Sequence, residues 1–255
     1  MFRQTSFVVL LTLGLSNGIF LECDYALRPV GTIGSVYSCL ATVHPSPAGR
    51  SVSNVSHNHL DDFGDADVLS LIFNDNIAFT PFNIQDFFPN LVAIDINGKG
   101  TSELTRESLK GLQSLRHFSF SRNQLQVIET NLFIENPLIE SIYFEGNPIR
   151  HVAFNVFDHL EGLRTLYMSE TTCINENATS DLNAVDVLKF RILVHCPPTF
   201  EMLEEKVVKS SLLQIIVAAQ IDREIDPIHE ALEEIVDEQR LLIERVEALE
   251  EIRRH

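Results

Sequence analysis

The sequence predicts an α/β solenoid of short stacked repeats, with cysteine-bridged flanks and a C-terminal helical, coiled-coil-like tail. Three observations lead there. An apolar frame recurs at near-constant spacing through the centre, and four cysteines fall in two local pairs outside it. After Pro197-Pro198 the chain runs to its end without glycine and with one proline, Pro227.

Residues 1–18 read as a signal peptide, because Arg3 precedes an apolar run over 7–15 and Ser16 and Gly18 supply small residues at cleavage spacing. The run is shorter than the ~20 residues a bilayer crossing needs. Downstream, residues 212–219 form the best apolar stretch, which Gln214 interrupts, so no membrane span is expected and the mature chain is expected to be secreted and extracellular.

Residues 19–67 form an N-terminal cysteine flank and cap, and residues 173–198 a C-terminal flank. Cys23 with Cys39 and Cys173 with Cys196 make local pairs that suit disulfides in an oxidising compartment. Four cysteines allow three connectivities, and a link between the pairs would join the two ends of the domain. Zinc is disfavoured by the lack of any C-x-x-C pair. Asn54-Val55-Ser56 and Asn177-Ala178-Thr179 are glycosylation acceptors if the chain is secreted.

Between the flanks, residues 68–172 repeat the frame L-x-x-L-x-L-x-x-N-x-L about five times. Its registers are Val68, Leu71, Phe73, Asn76; Leu91, Ile94, Ile96, Lys99; Leu115, Phe118, Phe120, Asn123, Leu125; Ile139, Ile142, Phe144, Asn147, Ile149; and Leu163, Leu166, Met168, Thr171. Starts separated by 23, 24, 24 and 24 residues are too regular for chance. Alternate residues such as Phe118 and Phe120 point inward from a short strand while Ser119 points out. The Asn that follows turns the chain and satisfies backbone groups left unpaired there. Leu109, Phe133 and Phe157, 24 apart, fill the space behind the strands. Lys99 between Gly98 and Gly100 replaces the amide, which makes the second repeat the loosest.

The frame and flanks together resemble extracellular leucine-rich-repeat proteins, and more narrowly secreted dipteran ones similar to mosquito leucine-rich-repeat immune proteins. The residues that carry the resemblance are Cys23-x-Tyr25, Tyr37-x-Cys39, Phe88-Pro89-Asn90-Leu91, Phe133-x-x-Asn136-Pro137, Thr172-Cys173-Ile174 and Cys196-Pro197, over residues 20 to 198. The resemblance implies a leucine-rich-repeat solenoid, a helical C-terminus that mediates association, and a role in insect innate immune recognition. This chain has fewer repeats than those relatives and no adjacent double cysteine for an inter-chain bridge.

Residues 199–255 read as helical. Asp226 caps and Pro227 opens a helix, and Ile228, Leu232, Ile235, Gln239, Leu242, Val246 and Leu249 form a heptad seam within 228–252. Another chain, a preceding helix folded back as a hairpin, or the end of the repeats must cover the seam. A non-covalent homo- or hetero-oligomer through the tail is open.

Acidic residues outnumber basic ones 36 to 19, a formal charge of -17, which argues against nucleic acid as a partner. No nucleophile elbow, phosphate loop or zinc-protease helix is present, so the reading is not an enzyme, with no catalytic residue and no cofactor. His57-Asn58-His59 places two imidazoles on one side of an extended segment, and Asp61, Asp62, Asp65 and Asp67 follow. A structural histidine turn and a solvated acidic turn are preferred to a metal, since ligands at defined spacing and the EF-hand Gly and Glu are missing. Function then rests on protein binding at the concave sheet, with Ile72, Asp95, His117, Ser119, Tyr143, Glu145 and Tyr167 as partner-binding residues and Arg116, Arg122 and Arg164 as donors nearby. The expectation is a secreted, non-enzymatic interaction scaffold; the alternative is a structural extracellular-matrix or adhesion component.

Overall fold

The computed structural model describes residues 18–31, 33–44, 49–203 and 240. Apart from Gly18, the expected signal peptide lies outside these residues, and so does the whole heptad seam from Ile228 to Leu249. The chain divides into two compact units, Met1–Thr199 and Phe200–His255, and the repeats and both cysteine flanks belong to the first.

The frame becomes strands at the positions its spacing requires. After β1 (Ile19–Val30), β2 (Gly34–His44) and β3 (Val52–Val55) come β4 (Ser70–Phe73), β5 (Ala93–Asp95), β6 (His117–Ser119), β7 (Val127–Ile128), β8 (Ser141–Tyr143), β9 (His151–Val152), β10 (Thr165–Tyr167) and β11 (Asn177–Ala178). Nine of these make one sheet in the order β11-β10-β8-β6-β5-β4-β2-β1-β3, while β7 and β9 pair separately on the return side. From β2 through β10 every pairing is parallel. Helix is sparse in the repeats: α1 (Arg106–Leu109) is a single turn.

The core sits behind the strands. Phe118, Phe120, Phe133 and Phe144 are fully buried, with ring centroids 5.7 to 6.3 Å apart and several edge contacts. Phe133 also stacks on Phe157 in the next repeat. Such spacings are favourable for aromatic rings, and burial of each side chain is worth ~2–3 kcal/mol.

Two buried asparagines close the turns. Asn123 Nδ2 donates to Ile96 O (2.6 Å) and Phe120 O (3.1 Å), while its Oδ1 accepts from Lys99 N (3.0 Å) and Thr101 N (3.1 Å). Asn147 repeats the pattern with Phe120 O, Phe144 O and Leu125 N. The preceding residues Gly98, Arg122, Gly146 and Glu170 all have φ between 56° and 70°. Only glycine adopts that left-handed conformation freely, so Gly98 fits the turn and does not loosen it. Lys99 keeps its place by donating Nζ to Asn74 O (2.9 Å). In the first repeat, by contrast, Asn76 is exposed and forms no buried rung.

The flanks add elements that periodicity does not encode. The N-terminal flank is a long antiparallel hairpin, β1 with β2, whose Leu21, Cys23, Tyr25, Tyr37, Cys39 and Ala41 turn inward. Cys23 and Cys39 are bridged with Cα atoms 5.0 Å apart, and Cys173 and Cys196 with Cα atoms 5.1 Å apart, which settles the connectivity as local. The C-terminal flank is a helix, α2 (Leu182–His195), capped by Asp181 Oδ1 accepting from Asn183 N (2.9 Å). It buries Val185, Leu188 and Ile192 and leaves Val187, Phe190 and Val194 as an exposed apolar stripe. No described helix is long and apolar enough to cross a membrane.

Candidate functional site

Strand residues that do not enter the core line the opposite face of the sheet, the face expected to be concave. The register places Ile72, Asp95, Ser119, Tyr143 and Tyr167 in one row across five strands, and Ala93, His117, Ser141 and Thr165 in the row before it. Neighbouring strands are ~4.8 Å apart, so rings on successive strands meet. His117 and Tyr143 have centroids 5.0 Å apart, and Tyr143 and Tyr167 4.9 Å apart. Three half-buried rings thus form a continuous aromatic strip.

Acidic groups edge the strip. Asp95 Oδ1 accepts from Asn97 N (2.9 Å), and burial raises its carboxyl above the usual range against that bond and the attraction of His117 and Lys99. Burial likewise lowers the His117 imidazole, with Asp95 opposing. Burial, then the neighbouring Tyr167, raises the Tyr143 phenol. Glu145 Oε2 and Ser121 Oγ are buried atoms with no hydrogen-bond partner among the described residues. A buried acceptor left unpaired costs ~1–3 kcal/mol.

Not every expected contact residue is available. Ser119 departs from the exposure expected of it: it is buried, and its hydroxyl donates to Asn97 Oδ1 (2.8 Å). That carbonyl also accepts from Ser121 N (2.7 Å), so Ser119 supports the face from beneath. Of the arginines, Arg116 is engaged with Glu140 Oε1 at 2.5 Å.

The hairpin also reaches this face. Gly31, in the turn that joins β1 to β2 (Ile33 N to Val30 O, 2.9 Å), lies so near His117 that a Cβ there would stand 2.9 Å from its Cε1. The open part of the strip is therefore Tyr143 and Tyr167. Sequence reasoning had no signal for this, since Gly31 and His117 are 86 residues apart in a chain whose cap lacks the repeat period.

The two glycosylation sequons differ. Asn54 is exposed on β3. The Asn177 amide is tied to the edge of the sheet, its Oδ1 accepting from Met168 N and Ser169 N (both 2.9 Å) and its Nδ2 donating to Ser169 Oγ (3.1 Å).

A second cluster lies in the cap. His59 Nε2 is 2.8 Å from Asp65 Oδ1, and His57 Nδ1 is 3.4 Å from Asp65 Oδ2. Tyr25 packs on the His59 ring at 4.1 Å and Phe63 on Tyr37 at 4.2 Å. The sequence shows two histidines on one side of an extended segment; it does not show that the chain reverses at Asp61 (φ 47°) and brings Asp65 back to both.

Residues 89–149 match the sequence model of the Leucine rich repeat family. The chain is 38% identical over 69 residues to Leucine-rich repeat-containing G-protein coupled receptor 5 of Xenopus tropicalis, and 36% identical over 69 residues to Leucine-rich repeat-containing G-protein coupled receptor 5A of Xenopus laevis. Those stretches are 27% of this chain and only 8% of either receptor. Among solved structures, it is similar to a chain of the Toll - Spatzle complex of Drosophila, with a TM-score of 0.40 and 16% identity, covering 48% of this chain and 17% of that one.

Proposed function

We propose that this chain is a secreted, non-enzymatic protein-interaction scaffold that binds a protein partner on its concave face. The reading rests on the strip of His117, Tyr143 and Tyr167 edged by Asp95 and Glu145. Such a surface suits a partner that presents an apolar or aromatic side chain for the tyrosines and a hydrogen-bond donor or cation for Glu145. The two disulfides fit an oxidising compartment. Innate immune recognition is the biological setting that the sequence resemblance suggests for such a scaffold.

The test pairs secretion with capture. The chain expressed with its first 18 residues should reach the medium, and as bait it should retain a protein from the extracellular fluid of its source. Tyr143→Ala with Tyr167→Ala should lose that protein while melting near the parent, because both rings point away from the core. Phe120→Ala should instead cost ~3–5 kcal/mol of stability. Retention of the same protein by the tyrosine double variant would contradict the reading.

A further inference from the structure

We infer that His57, His59 and Asp65 form a binding site for a divalent transition-metal ion, zinc foremost, which closes the 57–65 loop of the cap on itself beside the disulfide-bridged hairpin. Two imidazoles and one carboxylate are a donor set that zinc takes, with water in the fourth position; calcium would require oxygen donors. One ligand atom from each residue lies within 4.8 Å of the others. Ligands ~2.0–2.1 Å from a tetrahedral ion stand ~3.3 Å from one another. His59 Nε2 stands 2.8 Å from Asp65 Oδ1 and His57 Nδ1 3.4 Å from Oδ2, so the two imidazoles face the two oxygens of one carboxylate at distances that small side-chain shifts bring to this spacing. His57, with its side chain 64% exposed, is free to swing the remaining distance.

The surroundings orient the ligands as a metal site needs. The other ring nitrogen of His59, Nδ1, is 3.2 Å from the Tyr37 hydroxyl, whose oxygen also accepts from Leu60 N (3.1 Å). With the proton on Nδ1 and donated to Tyr37, the Nε2 lone pair faces Asp65 and is available to a metal. The opposite tautomer, with Nε2 donating to Asp65, is the arrangement that zinc would displace.

Tyr25 and Tyr37 stand two residues from Cys23 and Cys39, so the disulfide fixes the two rings that hold His59. Tyr25 donates its hydroxyl to Ser56 O at 2.6 Å, which anchors the residue next to His57. Asp61, Asp62 and Asp67 around the loop add a negative field that attracts a cation.

The full-length secreted chain, stripped with chelator, is titrated with zinc by calorimetry and with cobalt as an absorbance probe. One equivalent of zinc, a tetrahedral cobalt spectrum and a raised Tm are expected. Tyr37→Phe should weaken zinc binding by ~10-fold, and His57→Ala and Asp65→Asn by more. His57→Ala serves as the folding-neutral variant because that side chain is exposed. No uptake of zinc at micromolar free metal, or equal uptake by the parent and these variants, would overturn the proposal; the second result would assign the ion to histidines elsewhere, such as His229 or His255.

Discussion

Asn123 shows how one side chain joins two repeats. Its amide serves four backbone groups, two carbonyls and two N–H groups, and it is buried, so no water can take its place. Asn123→Ala should cost at least ~2 kcal/mol in urea denaturation, and Asn123→Leu should not restore it, because the lost groups are polar. His117 makes a pH-dependent prediction. Its folded form has a lowered pKa, so below about 6.5 the unfolded chain binds more protons and stability falls as pH drops through that range. Asp95 has a raised pKa and works in the opposite sense, its contribution fading as pH rises from the acid side. Melting curves from pH 7.5 to 5.5 should therefore be flatter for His117→Gln than for the parent; an unchanged slope would remove His117 from the pH response. At this scale the apolar frame was readable from spacing alone. The burial of Ser119 and the tying of Asn177 to β10 were not, since both depend on partners outside the periodic frame.

Among the elements, strands repeat but flanks do not. Five strand positions follow from the 23- and 24-residue intervals, because a two-residue inward alternation leaves each strand one way to face the core. The β1–β2 hairpin and α2 had no such period, and their cysteines indicated closure without indicating shape. Hairpin geometry brings Cys23 beside Cys39 and leaves Tyr25 and Tyr37 positioned around His59. Non-reducing peptide maps should contain Cys23 linked to Cys39 and Cys173 linked to Cys196, and no cross-linked peptide between the pairs. Replacing Cys23 and Cys39 by serine should lower stability by ~3 kcal/mol, the chain-entropy value for a loop of this length.

For the whole molecule, the sheet carries the proposed binding face, and the tail expected from the sequence is tested separately. The described repeats and both bridges end before Thr199, where the first unit ends. A chain truncated after Pro198 should unfold in one cooperative transition close to that of the parent's repeat unit. If the expected seam pairs between chains, full-length chain should sediment as a non-covalent oligomer at micromolar concentration, and Leu242→Asp should return it to monomer, because a charge at a seam position covered by a partner is costly. A full-length monomer that keeps its helical signal would identify the seam as intramolecular.

Partner binding on the concave face is best tested by an amide-exchange footprint of the captured complex against the free chain. Binding there predicts added protection over 93–97, 117–121, 141–145 and 165–169, strongest around Tyr143 and Tyr167, with the return segments unchanged. Protection confined to α2 and the return segments, with the tyrosine strands exchanging as in the free chain, would contradict it.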